Sequence, residues 1–149
     1  MKKIFLSLIF AVAIVWTGKA DSTEIKRTVS FEELPTIAQI FLRTHFGDLT
    51  VSYIEQETKL TGVRSYEVKY TDLSEVELNG RGEWKKVERE NVAVPDRIIP
   101  EKIRQFVQKN HVENFVKSIE KDHHGYELEL NSGLELKFDA QQNFLRYDD

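Results

Sequence analysis

Three places in the sequence carry residue types that could do chemistry. Asp122-His123-His124 sets one carboxylate beside two imidazoles, the donor set of a zinc or copper site. Asn79-Gly80-Arg81-Gly82 has the glycines of a phosphate-cradling loop. Two alternating segments, around Tyr66 and Tyr126, carry charged residues at every second position. Each demands a different scaffold, so the elements that would hold these residues decide which chemistry is open.

The first two lose their chemistry on that test. Neighbouring side chains on a strand point to opposite faces, so His123 and His124 are not expected to share one ion. Beside Gly125 they read as a solvated hairpin tip. A phosphate loop lies between a strand and a helix, whose N-terminal N–H groups face the anion. Here Trp84 and a strand-like segment follow, so residues 79–82 read as a turn. The sequence has no Gly-x-Ser-x-Gly elbow, no His-Glu-x-x-His motif and no glycine-rich dinucleotide fingerprint. With no cysteine it has no thiol nucleophile and no cysteine-built metal site. The expectation is no catalytic residue, no cofactor and no metal. The enzymatic alternative is a metal-assisted hydrolase using Asp122, His123 and a carboxylate from the acidic sheet face of the alternating segments.

The third place survives. Alternation puts Tyr66, Val68 and Tyr70 on one face of a strand and Glu67 and Lys69 on the other; Tyr126, Leu128 and Leu130 oppose Glu127 and Glu129 in the same way. The next segments add Glu75 and Glu77 to the first polar set, and Glu135 and Lys137 to the second. One sheet face therefore carries Glu67, Lys69, Glu75, Glu77, Glu127, Glu129, Glu135 and Lys137. An antiparallel sheet covered on one side needs polar groups on the other, so solvation alone accounts for such a face. The sharper reading is an acidic platform for a basic protein segment or a divalent cation, since cross-strand carboxylates repel and gain from a positive partner.

The elements behind this face occur twice. Leu34-Pro35 superposes on Ile99-Pro100 at a shift of 65, bringing Phe41, Val51, Ile54 and Glu55 onto Phe106, Val116, Ile119 and Glu120. After a five-residue length difference the shift is 60, and Tyr66-Glu67 meets Tyr126-Glu127, Glu75 meets Glu135 and Trp84 meets Phe144. Leu34, Ala38, Phe41 and Leu42, like Ile99, Ile103, Phe106 and Val107, form the apolar stripe of an amphipathic helix, with the proline in its first turn. Each unit then reads as a helix and four antiparallel strands, the connections being too short for crossovers. The fold class expected is α+β, a tandem duplication whose two sheets join edge to edge with both helices on one face. The boundaries are 31–89 for the first repeat, 90–98 for the connection and 99–149 for the second repeat. Residues 21–30 are polar and expected to be flexible, and residues 59–64 to form a longer loop.

Residues 1–20 read as a signal peptide. Lys2 and Lys3 precede an apolar run from Ile4 to Trp16, and small residues at Gly18 and Ala20 suit cleavage after Ala20. No cysteine stands there for a lipid anchor, and the run is shorter than the roughly 20 residues that span a bilayer. The expected location is periplasmic or extracellular, without a stable membrane anchor. Cleavage removes three of 21 basic side chains and leaves 18 against 25 acidic ones, a net charge of −7 over 129 residues. That charge opposes nucleic-acid phosphates. A composition of 40% hydrophobic and 31% charged residues excludes a disordered tail or a multispan membrane protein.

Helices opening on Leu34-Pro35 and Ile99-Pro100, strands with Tyr66-Glu67-Val68 and Tyr126-Glu127-Leu128, and the hairpin piece Glu135-Leu136-Lys137-Phe138-Asp139 resemble the PepSY-like family of secreted bacterial proteins. That family is described as similar in fold to the beta-lactamase-inhibitory protein. The resemblance covers nearly all of residues 31–147. It implies a tandem helix-plus-four-strand fold, an exported location and no known catalytic residues. Asn79 stands where the family hairpin has its aspartate, which sets the first hairpin apart from the second. Residues and resemblance together predict a secreted, non-catalytic module that binds or inhibits another envelope or secreted protein. The alternatives are the hydrolase and an acidic cation-binding envelope protein.

Overall fold

The computed structural model describes residues 24–148; the expected leader and its cleavage site after Ala20 lie outside the described residues. Both helices open directly behind a proline. Pro35 (φ −52°, ψ 144°) precedes α1, Thr36–Phe46, and Pro100 (φ −54°, ψ 141°) precedes α2, Glu101–Asn110. The prolines are extended cap residues, one place earlier than the first turn in which periodicity put them. Their carbonyls already accept the first helical hydrogen bonds, from Gln39 N (3.1 Å) and Arg104 N (2.9 Å).

The strands are β1 (Ile25–Thr28), β2 (Val51–Lys59), β3 (Gly62–Tyr70), β4 (Glu75–Asn79), β5 (Trp84–Glu88), β6 (Val116–Lys121), β7 (Gly125–Leu130), β8 (Glu135–Asp139) and β9 (Phe144–Asp148). They form one nine-stranded antiparallel sheet in which every strand lies beside its neighbours in sequence. The fold is α+β. Between β5 and β6 the sheet is continuous through Lys86↔Glu120, Val87↔Ile119 and Glu88↔Ser118.

Alternation decides which face is buried. Tyr66, Val68, Tyr70, Val76, Leu78 and Val87 share one core with Ile119, Leu128, Leu130, Leu136 and Phe138. Ala38, Leu42 and Phe46 of α1 and Ile103 and Val107 of α2 enter that same core, so both helices lie on one face of the sheet. The chain 90–98 is also tied in: Val94 is buried, its N–H donates to Val116 O (2.9 Å), and Asp96–Ile98 form a short 3-10 turn.

Three expectations are corrected. Part of the stretch expected to be flexible, Ile25–Thr28, is strand β1, paired with β2 from Ile25↔Thr58 to Thr28↔Glu55. The five residues by which the β2–β3 segment exceeds β6–β7 do not make a long loop over 59–64. They lengthen the β2–β3 hairpin until Lys59 faces Gly62, and β1 docks on that extension. An unpaired edge is a liability, and a short strand with Lys26 and Arg27 covers it at little hydrophobic cost. Phe41 and Phe106 are half-buried at the margin of the core rather than inside it. Each lies stacked on an aromatic of the sheet: Phe41 on Trp84 (6.2 Å, 15°) and Phe106 on Phe144 (4.6 Å, 15°). The buried aromatic of α1 is Phe46, stacked on Tyr70 at 5.6 Å.

Candidate functional site

The sheet face away from the helices is lined by two cross-strand rows. The first runs Glu55↔Glu67↔Glu77↔Lys86↔Glu120↔Glu127↔Lys137↔Arg146, one residue from each strand from β2 to β9. The second runs Tyr53↔Lys69↔Glu75↔Glu88↔Ser118↔Glu129↔Glu135↔Asp148. All eight residues singled out in the sequence stand in these rows: Glu67, Glu77, Glu127 and Lys137 in one, Lys69, Glu75, Glu129 and Glu135 in the other. The rows also hold Glu55, Lys86, Glu88, Glu120, Arg146 and Asp148, which sequence reasoning missed. Continuing the alternation into Val51–Lys59, Trp84–Glu88, Val116–Lys121 and Phe144–Asp148 is the signal that would have found them.

Within the rows, the bases are shared out among the acids. Lys69 Nζ pairs with Glu67 (2.8 Å) and with Glu75, and Lys86 pairs with Glu88 (2.7 Å); Lys117, at the bulge outside the rows, pairs with Glu129 (2.8 Å). Lys137 holds both Glu127 (3.2 Å) and Asp148 (2.9 Å), and Arg146 adds a second pair to Asp148 (2.9 Å). Burial raises the Glu75 carboxyl above its ordinary range, and neighbouring Glu67 adds to the effect against the pull of Lys69. Burial also opposes charging of Glu67, yet its hydrogen bonds to Lys69 and Glu75 hold it below the usual carboxylate range. Hydrogen bonds from Arg146 and then Lys137 push Asp148 down to about 2. Glu77, Glu120 and Glu135 have no ion pair among the described residues. All three face another carboxylate directly across the strands: Glu77 beside Glu67, Glu135 beside Glu129 and Glu120 beside Glu127. Such juxtapositions are mildly repulsive and leave the face with unspent negative charge.

The other stretches resolve differently. Residues 79–82 are a turn: Asn79 Oδ1 accepts hydrogen bonds from Arg81 N (2.9 Å) and Glu83 N (3.0 Å). In the second hairpin Asp139 Oδ1 accepts from Asn143 N (2.8 Å), so the asparagine and the aspartate do one turn-closing job. At the β6–β7 tip the histidines stand in an exposed turn beside Gly125, as the sequence reading has them. His123 and His124 lie in the turn rather than on a strand, and their ring centroids are 3.8 Å apart. The other two histidines are engaged elsewhere: His45 packs on Phe41 (4.8 Å), and burial lowers its pKa; His111 Nε2 is 3.2 Å from the Tyr147 hydroxyl. Lys121 lies over the Trp84 ring at 4.0 Å, on the helix side of the sheet.

The family model described as "beta-lactamase-inhibitor-like, PepSY-like" matches residues 64–146. The chain belongs to the PepSY-like family. The match takes in every one of the eight candidate residues and the β6–β7 turn. Three solved structures are similar over nearly their whole length. One, described as a proposed periplasmic protein of the DUF2874 family from Bacteroides vulgatus, is 34% identical with a TM-score of 0.79, covering 83% of this chain and 97% of that one. Another, described as a proposed calcium-regulated periplasmic protein from Bacteroides thetaiotaomicron, is 33% identical with the same TM-score and coverage. A third, a proposed periplasmic protein of unknown function from Bacteroides vulgatus, is 34% identical with a TM-score of 0.77, covering 85% and 99%. No curated protein shows significant similarity to the chain. No helix among the described residues is long and apolar enough to cross a membrane.

Proposed function

We propose that this PepSY-like chain is a non-catalytic periplasmic module that holds a basic segment of another envelope protein on the open face of its sheet. The observation that carries the reading is the set of carboxylates that make no ion pair among the described residues, Glu77, Glu120 and Glu135, each facing a further carboxylate across the strands while Lys86, the base opposite Glu77 and Glu120, is paired with Glu88. A bound lysine or arginine would relieve that repulsion, which is worth some tenths of a kcal/mol per pair in the free protein. The description of the three similar structures as periplasmic supports the location, as does the leader read in residues 1–20.

We further infer that the face arose by duplication of one helix-plus-four-strand unit. Support comes from irregularities that recur at the same shifts as the sequence matches. Strand bulges lie at Val51/Tyr53 and Val116/Ser118, and again at Glu77/Leu78 and Lys137/Phe138. Left-handed residues stand at Leu73 and Gly133, and at Gly82 and Gln142.

A second reading, a divalent cation on the same face, draws on the neighbour described as calcium-regulated. One titration separates the two. A lysine-rich peptide should bind the full chain at low salt, weaken as salt rises, and bind at least tenfold more weakly to the Glu77→Gln/Glu120→Gln/Glu135→Gln variant. Peptide binding indifferent to both salt and variant overturns the first reading. Calcium-dependent melting that disappears in the variant, without peptide binding, puts the second in its place.

A further inference from the structure

We propose that the β6–β7 turn binds one divalent transition-metal ion through Asp122, His123 and His124. One donor atom from each residue lies within 4.8 Å of the others. Ligands around a tetrahedral zinc, at about 2.0–2.2 Å from it, stand roughly 3–3.5 Å apart. The donors are thus one small side-chain adjustment from a binding geometry. All three residues are exposed, so that adjustment disturbs no packing.

The turn itself fixes the carboxylate. Asp122 Oδ1 accepts hydrogen bonds from His124 N (2.8 Å) and Gly125 N (3.1 Å), which leaves Oδ2 for a ligand. The imidazoles, 3.8 Å apart between ring centroids, have no hydrogen-bonded side-chain partner among the described residues. The adjoining cleft, about 340 Å³, also takes in Glu120 and Glu127. Lys137 and Arg146 line it too, but they are paired with Glu127 and Asp148. Two nitrogen donors and one carboxylate select zinc, copper or nickel over calcium and magnesium, which prefer all-oxygen sites. The equivalent β2–β3 turn, Lys59-Leu60-Thr61-Gly62, offers none of these donors. The site therefore belongs to the second half alone.

The test is titration of zinc chloride into the full chain, prepared without a histidine tag. The expected result is one equivalent of zinc bound, at least tenfold more weakly in His123→Ala/His124→Ala, and unchanged in His111→Gln. Imidazole NMR signals of His123 and His124 should move with zinc while those of His45 and His111 stay. Asp122→Asn keeps an oxygen acceptor for the turn, so a folded variant with weakened zinc binding is also expected. Excess calcium should not displace the ion. Absence of saturable binding, equal binding in the double-alanine variant, or displacement by calcium overturns the proposal.

Discussion

The two halves of the sheet, β2–β5 under α1 and β6–β9 under α2, solve the same packing problem with different residues. At the end of α1 the position is Phe46, buried to 2% exposure and stacked on Tyr70. At the matching place after α2 stands His111, half-buried and bonded to Tyr147, and the partner of Tyr70 is Leu130. The first half therefore anchors its helix end in the core, while the second leaves a polar corner. The turns differ in the same exchanging manner. Between β3 and β4 the left-handed residue is Leu73 (φ 70°) in one half and Gly133 (φ 88°) in the other; between β4 and β5 it is Gly82 (φ 87°) and Gln142 (φ 64°). The backbone conformation is common to both halves and the glycine is not, so the hairpin geometry is set by the sheet register rather than by any one turn residue. What is free to vary between the halves is the tip chemistry: Lys59 to Gly62 on one side, Asp122 to Gly125 on the other.

The comparison is broken most severely at the helix ends. Phe46→Ala should cost about 3–5 kcal/mol, as for other buried aromatics, whereas His111→Ala should cost about 1 kcal/mol or less. Urea unfolding of both variants checks this, and equal losses would mean that the two corners are packed alike. Next in size are the stacked lids. Phe41→Ala and Phe106→Ala should each lose about 2 kcal/mol, below the loss at a fully buried ring because each is only half withdrawn from water.

The exchanged glycines sharpen the comparison. Leu73→Gly and Gln142→Gly should each stabilise by about 0.5–1 kcal/mol, by relieving left-handed strain. The reverse change at Gly82 should not be tolerated as Gln142 is. A Cβ there would lie 2.8 Å from Pro35 Cβ and 3.0 Å from Ile37 Cγ2, against the start of α1. Thermal melting of the three variants reads both signs.

The smallest effect concerns acid. Asp148 is held at about 2 against an ordinary 3.8, so its contribution to stability is present above pH 3.8 and is lost as pH falls toward 2. Asp148→Asn should flatten the acid limb of the stability profile in that window. Glu88, which stands beside Lys86 in the first half where Asp148 stands beside Arg146, is shifted in the same direction by its pair with Lys86. An acid limb unchanged in Asp148→Asn would show that the Arg146 and Lys137 pairs do not hold in solution.

The parts legible in the sequence were those with a period. Apolar residues at helical spacing marked α1 and α2, and strict alternation around Tyr66 and Tyr126 marked both the core and the polar rows. Elements without a period escaped. Ile25–Thr28 has one apolar residue in four, so nothing local distinguishes a pairing edge strand from a polar tail. Phe41 and Phe46 are both aromatic and near one stripe, and only the position of Trp84 decides which becomes a lid and which enters the core. The convergence of His123 and His124 depends on where β6 ends, and a strand assignment two residues longer reverses it. The candidate face was half legible for a related reason: β5 and β9 carry bulges, opposite Glu77/Leu78 and Lys137/Phe138, that interrupt their alternation.

The measurement that bears most directly on the open face is backbone-amide NMR mapping of the full chain during addition of a lysine-rich peptide. Shifts are predicted along the two rows, strongest at Glu67, Glu77, Glu120, Glu127 and Glu135, with the amides of α1 and α2 unmoved. Shifts confined to the helices or to the hairpin tips, with those rows silent, would contradict the account.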